Sequence, residues 1–344
     1  MKKLLLSALM LPLAMGLLAG CGAKEGNETA TSDGTSEKQE LTKVSIGYMP
    51  NFSSVGLAVI AQEAGYFEEE GIEAELVEFA DGPTIIAAME SGSIQLGNIG
   101  PGAHKLLAEG KAQVVTPDQL GNADAVLGLK SKGIEKLSDL KGKTIAVASG
   151  TASETILKLT LQEAGLTDKD VKLMDMDASA ITTAMLSGKI DAAATWSPNT
   201  HTIAKELGDD VVWLSNNERY VDTVPTISSW AIKPGYYEEN KEVLTRVTKA
   251  LMKAMDYRKN DGSEMAEWVA KQLAVDVASV EIQLEDGQYF TAKEVGEKLA
   301  NGDWFNIYET QQQNFVDTGM LEDNGKLLAP KDYVLTDLLE EVTK

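Results

Sequence analysis

Four turns in this sequence follow predicted strands and contain residue types that bind small ligands. In open α/β folds, ligands bind beyond the carboxyl ends of the strands, where helix N-termini offer unpaired N–H groups. The turns span residues 48–54, 98–102, 149–153 and 195–198. We expect all four to line one cleft, with these candidate ligand-binding residues: Tyr48, Pro50, Asn51, Asn98, Ile99, Gly100, Ser149, Gly150, Thr151, Ala152, Ser153 and Trp196.

The turn at 149–153 is the best candidate for binding an anion. Its sequence is S-G-T-A-S, and Gly150 lets the backbone turn closely. The helix that follows begins with unpaired N–H groups and a partial positive charge. Thr151 and Glu154 have the spacing of a capping box, so the hydroxyls could instead serve only to cap the helix. The P-loop and dinucleotide motifs do not fit, since no lysine follows at the required spacing.

The second and fourth turns offer an amide and an aromatic ring. Asn98 precedes a bare Gly100-Pro-Gly turn, whose backbone could reach a ligand or could be ordinary turn chemistry. Trp196 follows a strand of small residues, so its ring could form a cleft wall or lie in the core. His104 and His201 match no metal-ligand spacing, and no Ser/His/Asp or Cys/His arrangement is recognisable. We therefore predict no metal, no cofactor and no enzymatic activity.

The elements that must position these turns occur twice. Residues 84–99 read T-I-I-A-A-M-E-S-G-S-I-Q-L-G-N-I, and residues 180–195 read A-I-T-T-A-M-L-S-G-K-I-D-A-A-A-T. Each copy follows a strand, a glycine-containing turn, a helix and a second strand. A spacing of about 100 residues is too long for a solenoid. The repeat predicts two similar α/β lobes that face each other across a cleft, and 344 residues suffice for two such domains.

The N-terminal segment predicts export. Lys2 and Lys3 precede an apolar stretch from Leu4 to Leu18, which is typical of a secretory signal. Its L-A-G-C ending at Cys21 resembles a bacterial lipoprotein signal, which implies a signal peptide at 1–20 and a lipid on Cys21. Residues 21–43 have the composition of a disordered tether. The formal net charge of −22 argues against nucleic acid as a partner.

Several segments resemble substrate-binding proteins of ABC importers of the nitrate/sulfonate/taurine type. They are G-Y-M-P-N at 47–51, M-E-S-G-S-I-Q-L-G-N at 89–98, G-K-T-I-A-V-A-S-G-T at 142–151 and D-A-A-A-T-W-S-P at 191–198. The resemblance implies a two-lobe, type II periplasmic-binding-protein-like fold with two crossover hinges, near 124–130 and 224–232. Lobe 1 would comprise 44–127 and 231–344, and lobe 2 would comprise 128–230. It also implies an extracytoplasmic monomer that delivers a small anion or zwitterion to a permease and ATPase.

Within that type, G-N-A-D-A-V-L at 121–127 and Q-Y-F-T-A-K-E at 288–294 most resemble taurine-binding members, with aliphatic-sulfonate binders also similar. A sulfonate would then suit the turn at 149–153, and an amine would need Asp124 or Asp118. The resemblance also leads us to expect an acid at position 228, where this chain has Ser228, and Ser228 is itself a candidate ligand contact. An alkanesulfonate, another small anion or a thiamine-pyrimidine precursor stays open as ligand, as does a sensor without a transport role.

Overall fold

The computed structural model describes residues 41–220, 224–260 and 262–344. The predicted signal peptide, Cys21 and residues 21–40 of the predicted tether lie outside the described residues. The first strand begins at Thr42, two residues before the predicted start of lobe 1. Of the described helices, none is long and apolar enough to span a membrane.

The first part of the chain alternates strands and helices, as the sequence predicts. Its elements are β1 (Thr42–Tyr48), α1 (Phe52–Glu63), α2 (Tyr66–Glu69), β2 (Ile72–Glu78), α3 (Gly82–Ser91), β3 (Leu96–Ile99), α4 (Lys105–Ala108), β4 (Gln113–Gly121) and β5 (Asp124–Leu129). Local chemistry fixes the ends of α3. Asp81 accepts a hydrogen bond from the Thr84 N–H at 2.8 Å, and Pro83 occupies the first turn. Gly92 ends the helix in the left-handed conformation at φ +80°.

The middle of the chain repeats this order. Its elements are β6 (Thr144–Val147), α5 (Ala152–Glu163), β7 (Lys172–Asp175), α6 (Ala178–Leu186), β8 (Ala192–Trp196), α7 (Asn199–Leu207) and β9 (Val211–Asn216). Strand β8 begins with three alanines that are completely buried. Their small side chains let the helices on either face of the sheet pack closely, which explains why this strand contains no large apolar residue before Trp196.

The remainder is mostly helical, as predicted from residue 236 onward. It comprises β10 (Ile227–Ile232), α8 (Tyr236–Glu239), α9 (Lys241–Asn260), α10 (Met265–Leu273), α11 (Val277–Glu281), β11 (Gly287–Tyr289), α12 (Ala292–Ala300), α13 (Asp303–Asp317), α14 (Pro330–Tyr333) and α15 (Thr336–Val342). Helices α9 and α10 pack against α1, and their apolar residues join the core around the first sheet. The C-terminal helices therefore pack on the elements of the first sheet.

The strands form two sheets with matching topology. The first has the order β11-β4-β10-β3-β1-β2 and the second has the order β7-β6-β8-β5-β9. In each, three parallel strands from one copy of the repeat are followed by an antiparallel strand, β10 beside β3 and β5 beside β8. The chain crosses from the first sheet to the second just before β5, and it crosses back just before β10. The two sheets are therefore connected by two segments of the chain.

The crossings lie just before the strands that we expected to contain them. Residues 124–129 form strand β5, which lies entirely in the second sheet. Residues 227–232 form strand β10, which lies entirely in the first sheet. The chain therefore changes sheet between β4 and β5 and again between β9 and β10. The predicted boundaries at 127/128 and 230/231 fall inside β5 and β10. All residues of these two strands are buried, so the segments belong to the sheets and not to the connections between them.

Candidate ligand-binding site

A cavity of about 80 Å³ lies between the two sheets. It is bounded by the segments that follow β1, β3, β6 and β8, so the four turns predicted from the sequence do meet. The cavity is lined by Met49, Asn51, Ser53, Ser54, Gly82, Pro83, Asn98, Gly100, Pro101, Gly102, Ala103, Gln119, Gly121, Ala123, Asp124, Gly150, Thr151, Ala152, Trp196, Ser197, Thr226 and Ser228.

We call the residues from the first sheet and its loops the first wall, and those from the second sheet and its loops the second wall. The first wall consists largely of amides, hydroxyls and bare backbone. Asn51 caps α1 by accepting from the Ser54 N–H at 2.9 Å, and the Ser54 hydroxyl accepts from the Met49 N–H at 2.9 Å. These bonds fix the start of α1 at the cavity. Among the described lining residues, Asp124 of the second wall is the charged one, and no lysine or arginine accompanies it.

Asn98 is held by a buried ion pair behind the cavity. Its Nδ2 donates to Asp118 Oδ2 at 2.7 Å, and the other oxygen of Asp118 accepts from Arg258 Nη2 at 2.7 Å. Both ionic side chains are completely buried. The Asp118 carboxylate is thus committed to Arg258 and Asn98, and Asp118 does not line the cavity, so the expectation that it could receive a ligand amine is wrong.

The turn at 149–153 differs from the expected anion cradle. Asp175 Oδ1 accepts from the Ser149 N–H at 2.9 Å, and Glu154 Oε2 accepts from the Gly150 N–H at 2.7 Å. The Thr151 hydroxyl donates backwards to the Ala148 carbonyl at 2.7 Å, so the predicted Thr151–Glu154 capping box does not form. Two of the backbone donors expected to bind an anion are therefore already paired with carboxylates of the protein.

Asp124 lies at the cavity side of β5 and is 7% exposed. Its Oδ1 accepts from the Ser153 hydroxyl at 2.6 Å, and its Oδ2 accepts from Asn217 Nδ2 at 3.3 Å. Burial raises the pKa of this carboxyl to about 6, although these two hydrogen bonds act in the opposite direction. A carboxylate kept beside a cavity without a cationic partner is costly, which is typical of a functional group rather than a structural one.

The two walls touch where Gly102 meets the start of α5. A Cβ atom placed on Gly102 would lie 2.0 Å from the Thr151 carbonyl carbon and 2.4 Å from the Ala152 nitrogen. Only a residue without a side chain permits this approach of two backbones. The contact closes one side of the cavity, and it brings together segments that follow strands of different sheets, β3 and β6.

Nine of the fourteen predicted ligand-binding residues line the cavity. They are Asn51, Asn98, Gly100, Asp124, Gly150, Thr151, Ala152, Trp196 and Ser228.

The other five do not line it. Tyr48 is buried and its hydroxyl accepts from Gln272, while Ile99 lies in the core of the first sheet. Pro50 and Ser149 are exposed to solvent. Ser153 is buried behind the cavity, where it contacts Asp124.

Several lining residues were absent from the sequence-based candidates. Gly82 and Pro83 begin α3 just after β2, so the rule that selected the other turns could have found them. Gly102 lies within a turn that we did select. Gln119 comes from an antiparallel strand, for which sequence spacing gives no signal of proximity to the site.

The histidines have structural surroundings. His104 is buried and its Nδ1 donates to Gln311 Oε1 at 2.7 Å. Burial lowers its pKa to about 4, which keeps the ring neutral at physiological pH. His201 lies on α7 with its ring centroid 6.0 Å from that of Trp213. Within the described parts of the chain, no group of His, Cys, Asp and Glu is arranged to hold a metal ion.

Residues 51–265 match the family model described as NMT1/THI5 like. This chain belongs to that family. A binding protein of Brucella abortus (strain 2308) is 32% identical to this NMT1/THI5-like chain over 295 residues, which cover 86% of this chain and 90% of the relative. The taurine-binding periplasmic protein of Escherichia coli (strain K12) is 26% identical over 219 residues, covering 62% of this chain and 66% of the relative.

A solved structure shows the same architecture as this NMT1/THI5-like chain. The alkanesulfonate-binding protein SsuA from Xanthomonas axonopodis pv. citri, bound to MOPS, aligns with a TM-score of 0.64 at 23% identity. The alignment covers 86% of this chain and 98% of that one. The periplasmic-binding-protein fold predicted from the sequence is therefore confirmed, as is the resemblance to substrate-binding proteins of the nitrate/sulfonate/taurine type.

Proposed function

We propose that this protein is a lipid-anchored, extracytoplasmic receptor that binds a small sulfonate, taurine or an alkanesulfonate, and delivers it to the permease and ATPase of an ABC importer. The observation that carries the proposal is the cavity between the two sheets. It is bounded by the turns at the carboxyl ends of four strands, which is where open α/β folds bind ligands. The names of the relatives, which include taurine-binding and aliphatic-sulfonate-binding proteins, support the ligand class.

The ligand would be held between the walls and would stabilise their contact. The Gly102 backbone packs directly on Thr151 and Ala152, so a ligand in the cavity is shielded from solvent on that side. A ligand favours this closed arrangement only to the extent that it binds the closed form more tightly than an open one. The permease would then distinguish loaded from empty receptor by the relative position of the two sheets.

Calorimetry with the purified chain lacking residues 1–21 tests the ligand class. The panel comprises taurine, two alkanesulfonates, nitrate and an aminopyrimidine precursor of thiamine. We expect a sulfonate to bind at micromolar concentration or below, at least about 100-fold more tightly than nitrate. Failure of every sulfonate to bind, together with tight binding of nitrate or the pyrimidine, would contradict the sulfonate assignment and select one of the alternatives stated above.

The lipid anchor is tested separately on the full-length chain. Cells that express it are labelled with a palmitate analogue, and membrane and soluble fractions are compared. Wild-type protein should be labelled and should fractionate with membranes, because a diacylglyceryl group on Cys21 gives a strong membrane attachment. A Cys21→Ser variant that is still labelled and still bound to membranes would show that the anchor is not on Cys21.

A further inference from the structure

The second-wall turn that was expected to bind an anion carries two negative charges instead. Glu154 Oε2 accepts from the Gly150 N–H at 2.7 Å, and Asp175 Oδ1 accepts from the Ser149 N–H at 2.9 Å. We call residues 149–150 and these two carboxylates the acidic turn. The partial positive charge at the start of α5 is about half a unit charge, so it offsets only part of the two negative charges. The acidic turn therefore attracts a cation and repels an anion.

A lysine from the opposite wall lies beside this turn. Lys105 begins α4, which closely follows the first-wall residue Gly102. A Cβ atom placed on Gly150 would lie 3.6 Å from Lys105 Nζ and 3.8 Å from its Cε. Gly150 itself has no side chain, so the end of the lysine side chain lies next to the backbone of the acidic turn. This contact joins the two walls close to the place where Gly102 meets Thr151.

The Lys105 ammonium group has no partner that already holds it. Its side chain forms no hydrogen bond or ion pair in the described structure, and it is not among the residues that line the cavity. Lys158, by contrast, lies 4.0 Å from Glu154 on the same helix of the second wall. Charges within one wall keep their separation when the walls move, so they do not alter the balance between open and closed forms. A charge that reaches across from the other wall does alter it.

We infer that Lys105 is a positioning residue, whose attraction to the acidic turn favours the closed arrangement of the two walls and strengthens ligand binding without contact with the ligand. The inference rests on the proposed function of the cavity as the ligand site and concerns how that site closes. Opposite charges attract over about 8 Å at physiological ionic strength, so a direct ion pair is not required. The attraction is lost when the walls separate. Since the ligand is held between closed walls, stabilising this arrangement raises the apparent affinity.

Substitutions of Lys105 in the purified chain lacking residues 1–21 test the inference. Calorimetry uses taurine or, if taurine does not bind, the compound of the panel that binds most tightly. Lys105→Met keeps the aliphatic stem and removes the charge, and should weaken binding by about 3- to 5-fold. Lys105→Glu should weaken it by about 10-fold or more, while Lys105→Arg should stay within about 2-fold of wild type. Raising NaCl from about 20 mM to about 500 mM should weaken binding more in the wild type than in Lys105→Met.

Removal of the acidic charges completes a double-mutant cycle. Glu154→Gln and Asp175→Asn each keep an oxygen that can accept the backbone N–H but remove the charge. With both acids substituted, Lys105→Met should change affinity by less than about 1.5-fold. An equal loss in both backgrounds would mean that Lys105 acts on the ligand or by packing, and would overturn the inference. Lys111→Met is the control and should leave affinity unchanged, because exposed Lys111 lies 3.7 Å from Glu90 of α3, which also packs on the first sheet.

A distance measurement makes the test independent of the ligand's identity. The chain without residues 1–21 contains no cysteine, so nitroxide labels can be attached at Ala87→Cys and Thr183→Cys. These exposed positions lie on α3 and α6, which follow β2 and β7, the edge strands farthest from the crossings. Opening should therefore move the labels apart. In the ligand-free protein, double electron–electron resonance should show longer distances for Lys105→Glu, and wild-type distances for the exchange Lys105→Glu with Glu154→Lys.

The distances and the affinities can fail separately. Unchanged distances in Lys105→Glu would overturn the inference, as would longer distances that the exchange with Glu154→Lys does not restore. Failure of every sulfonate to bind would contradict the proposed ligand class, and the label distances would then decide the inference by themselves.

Discussion

The two walls of the cavity are built by the same order of elements but carry different side chains. Aligning the repeats places Trp196 where the first copy has Gly100. Across the second sheet, Asp124 pairs with Trp196. Across the first sheet, Ser229 pairs with Ile99, so Ser228 falls opposite Gly100. Asp124 and Ser228 therefore occupy corresponding positions, one on each wall of the cavity.

This correspondence shows how a duplicated scaffold becomes selective. The resemblance to taurine binders directed attention to an acid at position 228, which is a serine here. The structure has an acid at the corresponding position of the other wall, and both positions line the same cavity. The backbone places corresponding residues on opposite walls of the cavity. The side chains at these positions differ, so only the second wall has an aromatic ring and a charge there. An asymmetric ligand is bound best by such unlike walls.

Gly102→Ala should have the largest effect on binding, because it separates the two walls. The added Cβ would lie 2.0 Å from the Thr151 carbonyl carbon, so the closed arrangement could not form. We expect ligand affinity to fall by about 100-fold or more, measured by calorimetry, since binding would be confined to the open form. The melting temperature of the ligand-free protein should change by less than about 3 °C.

Gly100→Ala is the control for that change. It adds the same methyl group to the same turn, but its Cβ would be 3.7 Å from Met49 Cε, an ordinary contact. Its affinity should stay within about 5-fold of wild type. Wild-type affinity in Gly102→Ala would show that contact between the walls is not needed for binding.

Trp196→Ala tests the aromatic ring that the second wall has and the first wall lacks. We expect affinity to fall by about 10- to 50-fold, because an aromatic side chain at the centre of a site contributes a large contact area. Stability should be little affected, since Trp196 is only partly buried. Trp304→Ala provides the contrast. Trp304 is completely buried, so its removal should cost about 3–5 kcal/mol in the free energy of unfolding. Unfolding of Trp196→Ala would identify Trp196 as a core residue.

The pH dependence of taurine binding tests the charge on the second wall. The pKa of Asp124 is about 6 in the ligand-free protein, so the carboxylate is mostly protonated at pH 5. Taurine affinity should therefore weaken by about tenfold between pH 7 and pH 5, in proportion to the ionised fraction. Asp124→Asn should remove this dependence. If the pH dependence persisted in that variant, the half-buried carboxyl of Asp286, whose pKa is also raised by desolvation, would be the group to substitute next.

The smallest effect concerns the stability of the ligand-free protein. The folded-state pKa of Asp124 is raised above its ordinary value of 3.8, so the folded protein holds the proton more tightly than the unfolded chain. The contribution of the protonated carboxyl to the free energy of unfolding is therefore fully present below about pH 4 and is lost as pH rises through about 6. Asp124→Asn should therefore stabilise the ligand-free protein at pH 8, by on the order of 1–3 kcal/mol in chemical denaturation. The gain should vanish near pH 4. Destabilisation at pH 8 would mean that the hydrogen bonds from Ser153 and Asn217 outweigh the burial of charge.

Much of the fold could be predicted from the sequence because the signals are local. Gly92, Gly165 and Gly188 follow the ends of helices with positive φ, and the apolar runs between these turns match the strands and helices of the structure. The repeat predicted two similar lobes, and the two sheets have corresponding strand orders. The order of strands and helices also located the four turns at the site, since carboxyl ends of parallel strands lie at one edge of a sheet.

What the sequence determined by itself was therefore the order of elements, the duplication and the position of the turns, all of which depend on residues close together along the chain. The tertiary structure decided which side chains at those turns face the cavity. Asp118 binds Arg258, 140 positions away along the chain, and does not face the cavity. Gln119 lines the cavity because its strand, β4, pairs with β10. Gly102 is required because two distant backbones meet. Spacing along the chain carries no information about such contacts, because they depend on how the elements pack in three dimensions.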